Sequence, residues 1–255
     1  MIVFGVLFVA LIVAAIAGLG KKKTVESRQL TAANPQVAVE RHKVRLASAA
    51  HVVVSRSGFT QKAGASGGTS IEYGLVLTNK SKSMDALNVQ VSVGFVDTHG
   101  RSIANSSVTV TGIPAGGIFY VGGAIYSNVS LTAGRLRPAV TVGRSQPRSL
   151  VLPSVSDAHV TPSTLPGEVA VNGDLRNPYK KSLPVDASIY VIYLDSSGHI
   201  IGGTSETTGA QVRSHASDSF NVPLIFDPVA SVEVSVDPCS SFDIELHQCP
   251  ANVDA

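Results

Sequence analysis

The sequence predicts an all-β protein: two tandem β-sandwich domains behind an N-terminal transmembrane helix. Two observations predict the sandwiches. The body of the chain contains many short segments of alternating apolar and polar residues bounded by turn residues, and one set of these segments occurs twice. A third observation, the charge-free apolar run at residues 1–20, predicts the helix. Hydrophobic residues make up 44% of the 255 residues, which is enough for a core in each domain.

The apolar run is followed at once by Lys21, Lys22 and Lys23. Its length matches the roughly 20 residues that a helix needs to cross a bilayer. A cleaved signal peptide is the alternative, because Ala15-Ile16-Ala17 resembles a cleavage site, but no positive region precedes the apolar run. We therefore expect a single-pass membrane protein inserted through residues 2–20, with an anchor and basic flank at 1–23 and a polar stalk at 24–48.

Two signals conflict over the side of the membrane on which the body lies. The lysines and arginines near the membrane all follow the apolar run, and the positive-inside rule then places the body in the cytosol. The two cysteines, Cys239 and Cys249, favour an exported body in which they form a disulfide. Two buried free thiols are the alternative. We expect an extracytoplasmic body with a Cys239–Cys249 disulfide.

An internal repeat with an offset of 98 positions organises the body. In each copy an alternating segment ends at Asn, and the next alternating segment leads into a turn that begins with Asp and has Gly at its fourth position. Asp accepts backbone N–H bonds at the start of such a turn, and Gly supplies a positive φ. The shared anchors are Asn79, Asp97 and Gly100 in the first copy and Asn177, Asp195 and Gly198 in the second. The alternation predicts burial of Val91, Val93 and Phe95 and of their counterparts Ile189, Val191 and Tyr193.

Turn and linker composition sets the expected boundaries. The first sandwich should span 49–146 and the second 157–255, joined by a linker at 147–156 that contains two prolines. Ala50-His51-Val52 and Ala158-His159-Val160 look like matching first strands, with an offset of 108. The first copy would then carry about ten extra residues within 57–70, a Gly- and Ser-rich segment that predicts a mobile loop.

The second copy resembles the bacterial FxLYD domain. The resemblance lies in the run from Val171 to Asn177, in Ile192-Tyr193-Leu194-Asp195 and in the Gly198 turn; the first copy has Gly94-Phe95-Val96-Asp97 instead. It covers about two-thirds of each copy. It implies immunoglobulin-like sandwiches related to LEA14/WHy-type domains, often carried by exported or membrane-tethered proteins. It implies no catalytic activity and no catalytic residues.

No motif in the sequence is strong evidence for a catalytic or metal-binding site. Residues 64–68 match the G-x-S-x-G pattern around Ser66, but a nucleophile elbow requires a strand before it and a helix after it, whereas a strand pattern follows here. The histidines show no zinc-ligand spacing, and Asp97 and Asp195 lack the further oxygens that calcium needs. We expect no catalytic, cofactor or metal site. Nucleic-acid binding would require clustered basic residues with aromatic residues between them. The sequence shows no such pattern, so we do not expect nucleic-acid binding.

These features favour a membrane-anchored, non-catalytic envelope protein whose sandwiches bind a protein or an envelope polymer. Sheet edges and inter-strand loops would supply the contact. A homo-oligomer is left open. A structural spacer or stress-protective domain pair is the alternative, and a hydrolase that uses Ser66 is a remote one.

Overall fold

The computed structural model describes residues 49–64, 67–162, 168–224 and 229–239, and within these ranges the chain forms β-strands and no helix. The prediction of an all-β body is confirmed. The strands are β1 (Val52–Ala63), β2 (Thr69–Asn79), β3 (Met84–Val96), β4 (Ser102–Ile113), β5 (Ile118–Ser127), β6 (Arg135–Pro147), β7 (Ser154–Pro162), β8 (Val169–Arg176), β9 (Ser188–Leu194), β10 (Ile200–Thr207), β11 (Ser217–Leu224) and β12 (Ser231–Asp237). In these residues no helix is long and apolar enough to cross a membrane. The expected anchor at 1–23 and stalk at 24–48 lie outside them.

The strands form four three-stranded antiparallel sheets, two in each half of the described chain. In the first half, sheet β1-β2-β5 faces sheet β4-β3-β6. In the second half, sheet β7-β8-β11 faces sheet β10-β9-β12. Strand for strand, the second half reproduces the order of the first, as the internal repeat predicts. Each half is thus a two-sheet sandwich.

Period-2 alternation places one side of each strand in a core. On β3, Val91, Val93 and Phe95 are at most 1% exposed, and they belong to the apolar cluster of the first sandwich. On β9, Ile189, Val191 and Tyr193 lie in the cluster of the second sandwich and are at most 2% exposed. All six residues are buried, as predicted.

Strands β2 and β9 are buried on both faces, because the sandwiches pack against each other sheet to sheet. Val76 points away from the first core and forms a separate apolar cluster with Ile192 and Ile200. Leu194 and the half-buried Tyr120 complete this cluster. Sheet β1-β2-β5 of the first sandwich therefore stacks on sheet β10-β9-β12 of the second, which makes a four-layer body.

Glycines allow the two inner sheets to approach backbone to backbone. A Cβ atom on Gly122 would lie 2.0 Å from the carbonyl oxygen of Val191, and one on Gly58 would lie 1.9 Å from that of Ile200. A Cβ on Gly74 would lie 2.6 Å from the carbonyl oxygen of Gly202. Such positions accept no side chain, so this interface depends on glycine within strands, where glycine is otherwise unfavourable.

The predicted mobile loop at 57–70 is wrong for most of its length. Strand β1 continues to Ala63 and β2 begins at Thr69, so the two strands form a hairpin around residues 64–68. Phe59 pairs with Tyr73, and its ring packs on Phe95 with 5.5 Å between ring centroids. The glycines and serines of this segment were misleading because Gly58 is needed for the close approach to Ile200 and not for flexibility.

The expected match between the segments at 50–52 and 158–160 is also wrong. Phe59 pairs with Tyr73, and Val160 pairs with Val171, which is the repeat counterpart of Tyr73. Val160 thus corresponds to Phe59, and the first copy has no ten-residue insertion. The Ala-His-Val tripeptide that suggested the match lies at positions that are not equivalent in the two copies, because β1 and β7 are offset by 101 residues on both sides of their bulges. Residues 148–153 connect β6 to β7.

We expect Gly122→Ala to lower the free energy of unfolding by about 1–3 kcal/mol, because the added methyl group must displace the β9 or β10 backbone. The matched control is Gly94→Ala, where the new Cβ would have its nearest contact at 3.5 Å, to the carbonyl oxygen of Arg137. Urea denaturation of both variants measures the difference. Equal stabilities of the two variants would contradict the close contact between the sandwiches.

Candidate functional site

Asn79 and Asn177 occupy the same hydrogen-bond cage in the two sandwiches. The Asn79 Nδ2 donates to the carbonyl oxygens of Met84, Ile113 and Pro114, and the Asn177 Nδ2 donates to those of Lys181, Val212 and Arg213. Each Oδ1 accepts the backbone N–H of the second residue onward. Asn79 is 1% exposed and Asn177 0% exposed. Each side chain ties the end of its strand to two neighbouring segments of the chain, so it is structural.

The Asp–Gly turns also match in detail. The Asp97 Oδ1 accepts the backbone N–H groups of His99 and Arg101, and the Asp195 Oδ1 accepts those of Ser197 and His199. Gly100 has φ +82° and Gly198 has φ +77°, a region that favours glycine. The backbone bonds from Arg101 and His199 are the main cause of the lowered pKa values of the Asp97 and Asp195 carboxyl groups. These acids form turns, and neither turn gathers further oxygens for a cation.

Asp237, at the end of β12, is a buried acid at the junction of the sandwiches. Its Oδ2 accepts the backbone N–H of Thr111 on β4 at 2.6 Å, and its Oδ1 accepts the Thr111 hydroxyl and, at 3.2 Å, the backbone N–H of Cys239. Burial raises the pKa of Asp237 to about 6, although these bonds act in the opposite direction. Asp237 therefore fastens the second sandwich to an edge strand of the first.

The other residues considered for chemistry do not come together. Ser66 and Cys249 lie outside the described residues, so the hydrolase reading and the Cys239–Cys249 disulfide stay predictions. The Cys239 side chain is buried. In the part of the chain that the structure describes, the His99 and His199 side chains make polar contacts with the Asp of their own turns and, for His99, with Thr98. Among the described residues, no three His, Cys, Asp or Glu side chains lie close enough to hold a metal ion.

An open groove of about 530 Å³ runs between the edge strands of the first sandwich, β1 and β6. Two contacts close its ends: the Ala50 N–H donates to the Ser145 Oγ, and the Gln61 side chain bonds the backbone of Leu131 and Ala133. The groove is lined by Val52, Val53, Val54, Ser55, Arg56, Ser57, Pro138, Ala139 and Val140. Pro138 offers no N–H and β1 is bulged, so both edges are poor partners for an added strand.

Each sandwich leaves one sheet face in solvent, and these faces differ from the faces buried between the sandwiches. On β8, Asn172 and Asp174 occupy the positions that Gly74 and Val76 hold on β2. On β3, Gly94 occupies the position that Ile192 holds on β9. The polar face of β8 is cross-linked by hydrogen bonds from Asn221 to Asn172 and from Asn172 to Thr161. Equivalent sheet faces of the two sandwiches thus differ: one is buried between the sandwiches and its counterpart faces solvent.

Sequence reasoning missed the junction. Asp237 carries no local motif, because its partner Thr111 is 126 positions away in the chain. The glycine pairs Gly122-Gly123 and Gly202-Gly203 inside strand patterns were a usable signal, since glycine within a strand often marks a close backbone approach. Alternation alone does not tell whether the outward side of a strand meets water or a second sandwich.

Comparisons with known proteins give no family. No protein-family model and no curated protein matches the chain. Among solved structures, red sea bream transglutaminase is similar at 15% identity and a TM-score of 0.23, over 74% of this chain and 30% of that one. Procruciferin, an 11S globulin from Brassica napus, is similar at 8% identity and a TM-score of 0.11, over 73% of this chain and 86% of that one. Neither likeness is strong enough to carry an argument about fold or function.

We expect Asn79→Ala and Asn177→Ala each to destabilise the fold by about 2–4 kcal/mol, because each removes several buried hydrogen bonds, including the one that the backbone N–H of Ser81 or Tyr179 donates to the Asn side chain. Asn105→Ala, at an exposed position of β4, is the control and should change stability by less than about 0.5 kcal/mol. Thermal and urea unfolding provide the measurement. A loss at only one of the two asparagines would show that the cages are not equivalent in energy.

The stability of the protein should depend on the protonation of Asp237. An acid whose pKa rises from 3.8 to about 6 on folding binds its proton more tightly in the folded state, so this group's contribution to stability falls as pH rises from about 4 to about 7. The fall amounts to about 3 kcal/mol. It should appear in urea titrations as a pH-dependent difference between the wild type and Asp237→Asn, which has no proton to lose. A difference that stays constant across this pH range would contradict the burial of an acid at the junction.

Proposed function

We propose that this protein is a membrane-anchored, non-catalytic envelope protein that binds a partner through its two immunoglobulin-like sandwiches. The glycine-mediated contact between the sheets supports this proposal above all. Because backbone meets backbone there, the sandwiches form one rigid body and hold their free faces and the β1–β6 groove in a fixed relation. Preorganisation of this kind lowers the entropy lost on binding.

The FxLYD resemblance belongs to the same proposal. The residues that carry it include the caged Asn177 and the Asp195–Gly198 turn. Their counterparts Asn79 and Asp97 make matching bonds in the first sandwich, although its motif is weaker. This supports treating both copies as one domain type. The anchor at residues 2–20 and the extracytoplasmic side of the body remain parts of the proposal that rest on sequence alone.

The spacer function is the weaker candidate. A spacer gains reach when its domains follow one another end to end. Here the sandwiches stack through sheet faces, and face-to-face sheets are only about 10 Å apart, so the second sandwich adds little length. The stacked arrangement instead increases rigidity, which a binding surface uses more than a tether does.

Photo-crosslinking in native cells tests the proposal. A photoreactive amino acid replaces Ser107 on the free face of the first sandwich, Ser219 on that of the second, or Ser57 in the β1–β6 groove. We expect the full chain to remain in alkaline-washed membranes, because residues 2–20 anchor it. We also expect an adduct of higher mass from at least one of the three positions, because a bound partner lies within reach of the probe.

The control carries the same amino acid at Lys180, an exposed position of the β8–β9 connection that the proposal leaves unbound. Adducts of equal yield at Lys180 and at the three test positions would indicate random collision. If no test position gives an adduct in membranes that contain the protein, the spacer function replaces the binding function. Loss of the protein from alkaline-washed membranes would refute the anchor.

A further inference from the structure

The free face of sheet β4-β3-β6 is polar and basic. Its exposed side chains include Gln90 and Ser92 on β3, Asn105 and Ser107 on β4, and Arg135, Arg137, Ala139, Thr141 and Arg144 on β6. The three strands carry one acidic residue, Asp85, which is buried and accepts the backbone N–H groups of Ala115, Ser149 and Leu150. The exposed charge of these strands is therefore entirely positive.

The corresponding face of the second sandwich packs against another sheet, so its residues show which side chains such a contact requires. Tyr190 and Ile192 on β9 are buried against the first sandwich, whereas their counterparts Ser92 and Gly94 face solvent. Arg137 pairs with Gly94 as Glu233 pairs with Ile192, so the charge at this position is reversed. The free face therefore lacks the apolar centre that would suit a further sandwich.

The arginines are available for a ligand. In the described part of the chain, Arg135, Arg137 and Arg144 make no ion pair, whereas Arg101 nearby is paired with Asp97 at 2.7 Å. Arg137 and Arg144 stand seven residues apart on one strand, which is about 23 Å at the usual rise. Hydroxyl and amide side chains lie between them on the neighbouring strands. The face thus offers separated bidentate donors for anionic groups with neutral hydrogen-bonding groups in between.

We propose that this face binds an extended acidic polysaccharide, and the inference rests on the binding function proposed above. Carboxylate groups along such a polymer would pair with the arginines, and its hydroxyl groups with the serine, threonine and amide side chains. No exposed aromatic residue is present on the face to stack on nucleobases, and no exposed large apolar residue to enter a bilayer. A protein partner would need an apolar or aromatic centre, which the face lacks.

The test uses the full chain in a nonionic detergent and polygalacturonate, a uronic-acid polymer, immobilised on a biosensor. We expect saturable binding that weakens at least tenfold between 50 and 200 mM salt, as for a contact dominated by exposed charges. The triple variant Arg135→Gln, Arg137→Gln, Arg144→Gln should lose at least tenfold in affinity. The control variant Arg176→Gln, Lys180→Gln, Arg213→Gln removes the same charge from exposed positions of the second sandwich and should stay within twofold of wild type. Both variants should unfold at the wild-type urea concentration.

Three results would overturn the assignment: no binding at 50 mM salt, an equal loss in the two triple variants, or tighter arginine-dependent binding to anionic vesicles or to a single-stranded oligonucleotide. The last result would show that the face binds a membrane or a nucleic acid and not an acidic polysaccharide. Failure here is separable from failure of the binding function. A photo-adduct formed at Ser57 or Ser219 without polymer binding would leave the binding function intact and remove only the polysaccharide.

Discussion

The contact between the two inner sheets is the constraint on which the rest of this molecule depends. Sheets that pack through side chains stand about 10 Å apart, with room for interlocking residues between them. At Gly58 and Gly122 the neighbouring backbone passes where a Cβ atom would be. Surfaces without side chains cannot repack, so backbone shape fixes the relative orientation of the sandwiches. The apolar cluster around Val76 and Ile192 supplies burial beside the contact.

Strand β12 completes the junction by accepting hydrogen bonds from two backbone N–H groups of the first sandwich. The Tyr120 N–H on β5 donates to the Ser235 Oγ at 2.9 Å, and the Thr111 N–H on β4 donates to Asp237. Both donors lie on edge strands, and a backbone N–H group that is removed from water requires an acceptor. The acid suits this place because its two oxygens accept from the backbone and the hydroxyl of one residue. The negative charge of the Asp237 carboxylate also raises the pKa of Tyr179, after the larger effect of that ring's own burial.

The sequence predicted what depends on short-range order. Alternation identified the buried side of β3 and β9, and the Asp and Gly anchors marked turns whose bonds are local. The Asn anchors were marked by the repeat alone, because two of the bonds from each reach residues 34 to 36 positions away. Alternation did not predict which strands would be buried on both sides, because Val76 and Asp174 sit in equivalent alternating positions and face different surroundings. The relation of β1 to β7 also escaped prediction, because the Ala-His-Val tripeptide occurs in the two copies at positions that are not equivalent in the ladders. The junction at Asp237 depends on a contact across nearly half the chain.

The stacking of the sandwiches has a geometric consequence for assembly. The first copy contributes sheet β1-β2-β5 to the contact, and the second contributes sheet β10-β9-β12. Because the two faces are different, the contact is head-to-tail. Between identical copies, a head-to-tail contact either closes into a ring or continues into a fibre. Growth requires each copy to present both adhesive faces. The second copy carries Asn172 and Asp174 where the first has Gly74 and Val76, and the first carries Gly94 where the second has Ile192. Each copy therefore presents only one of the two complementary faces, so the contact joins two sandwiches and offers no equivalent face to a third.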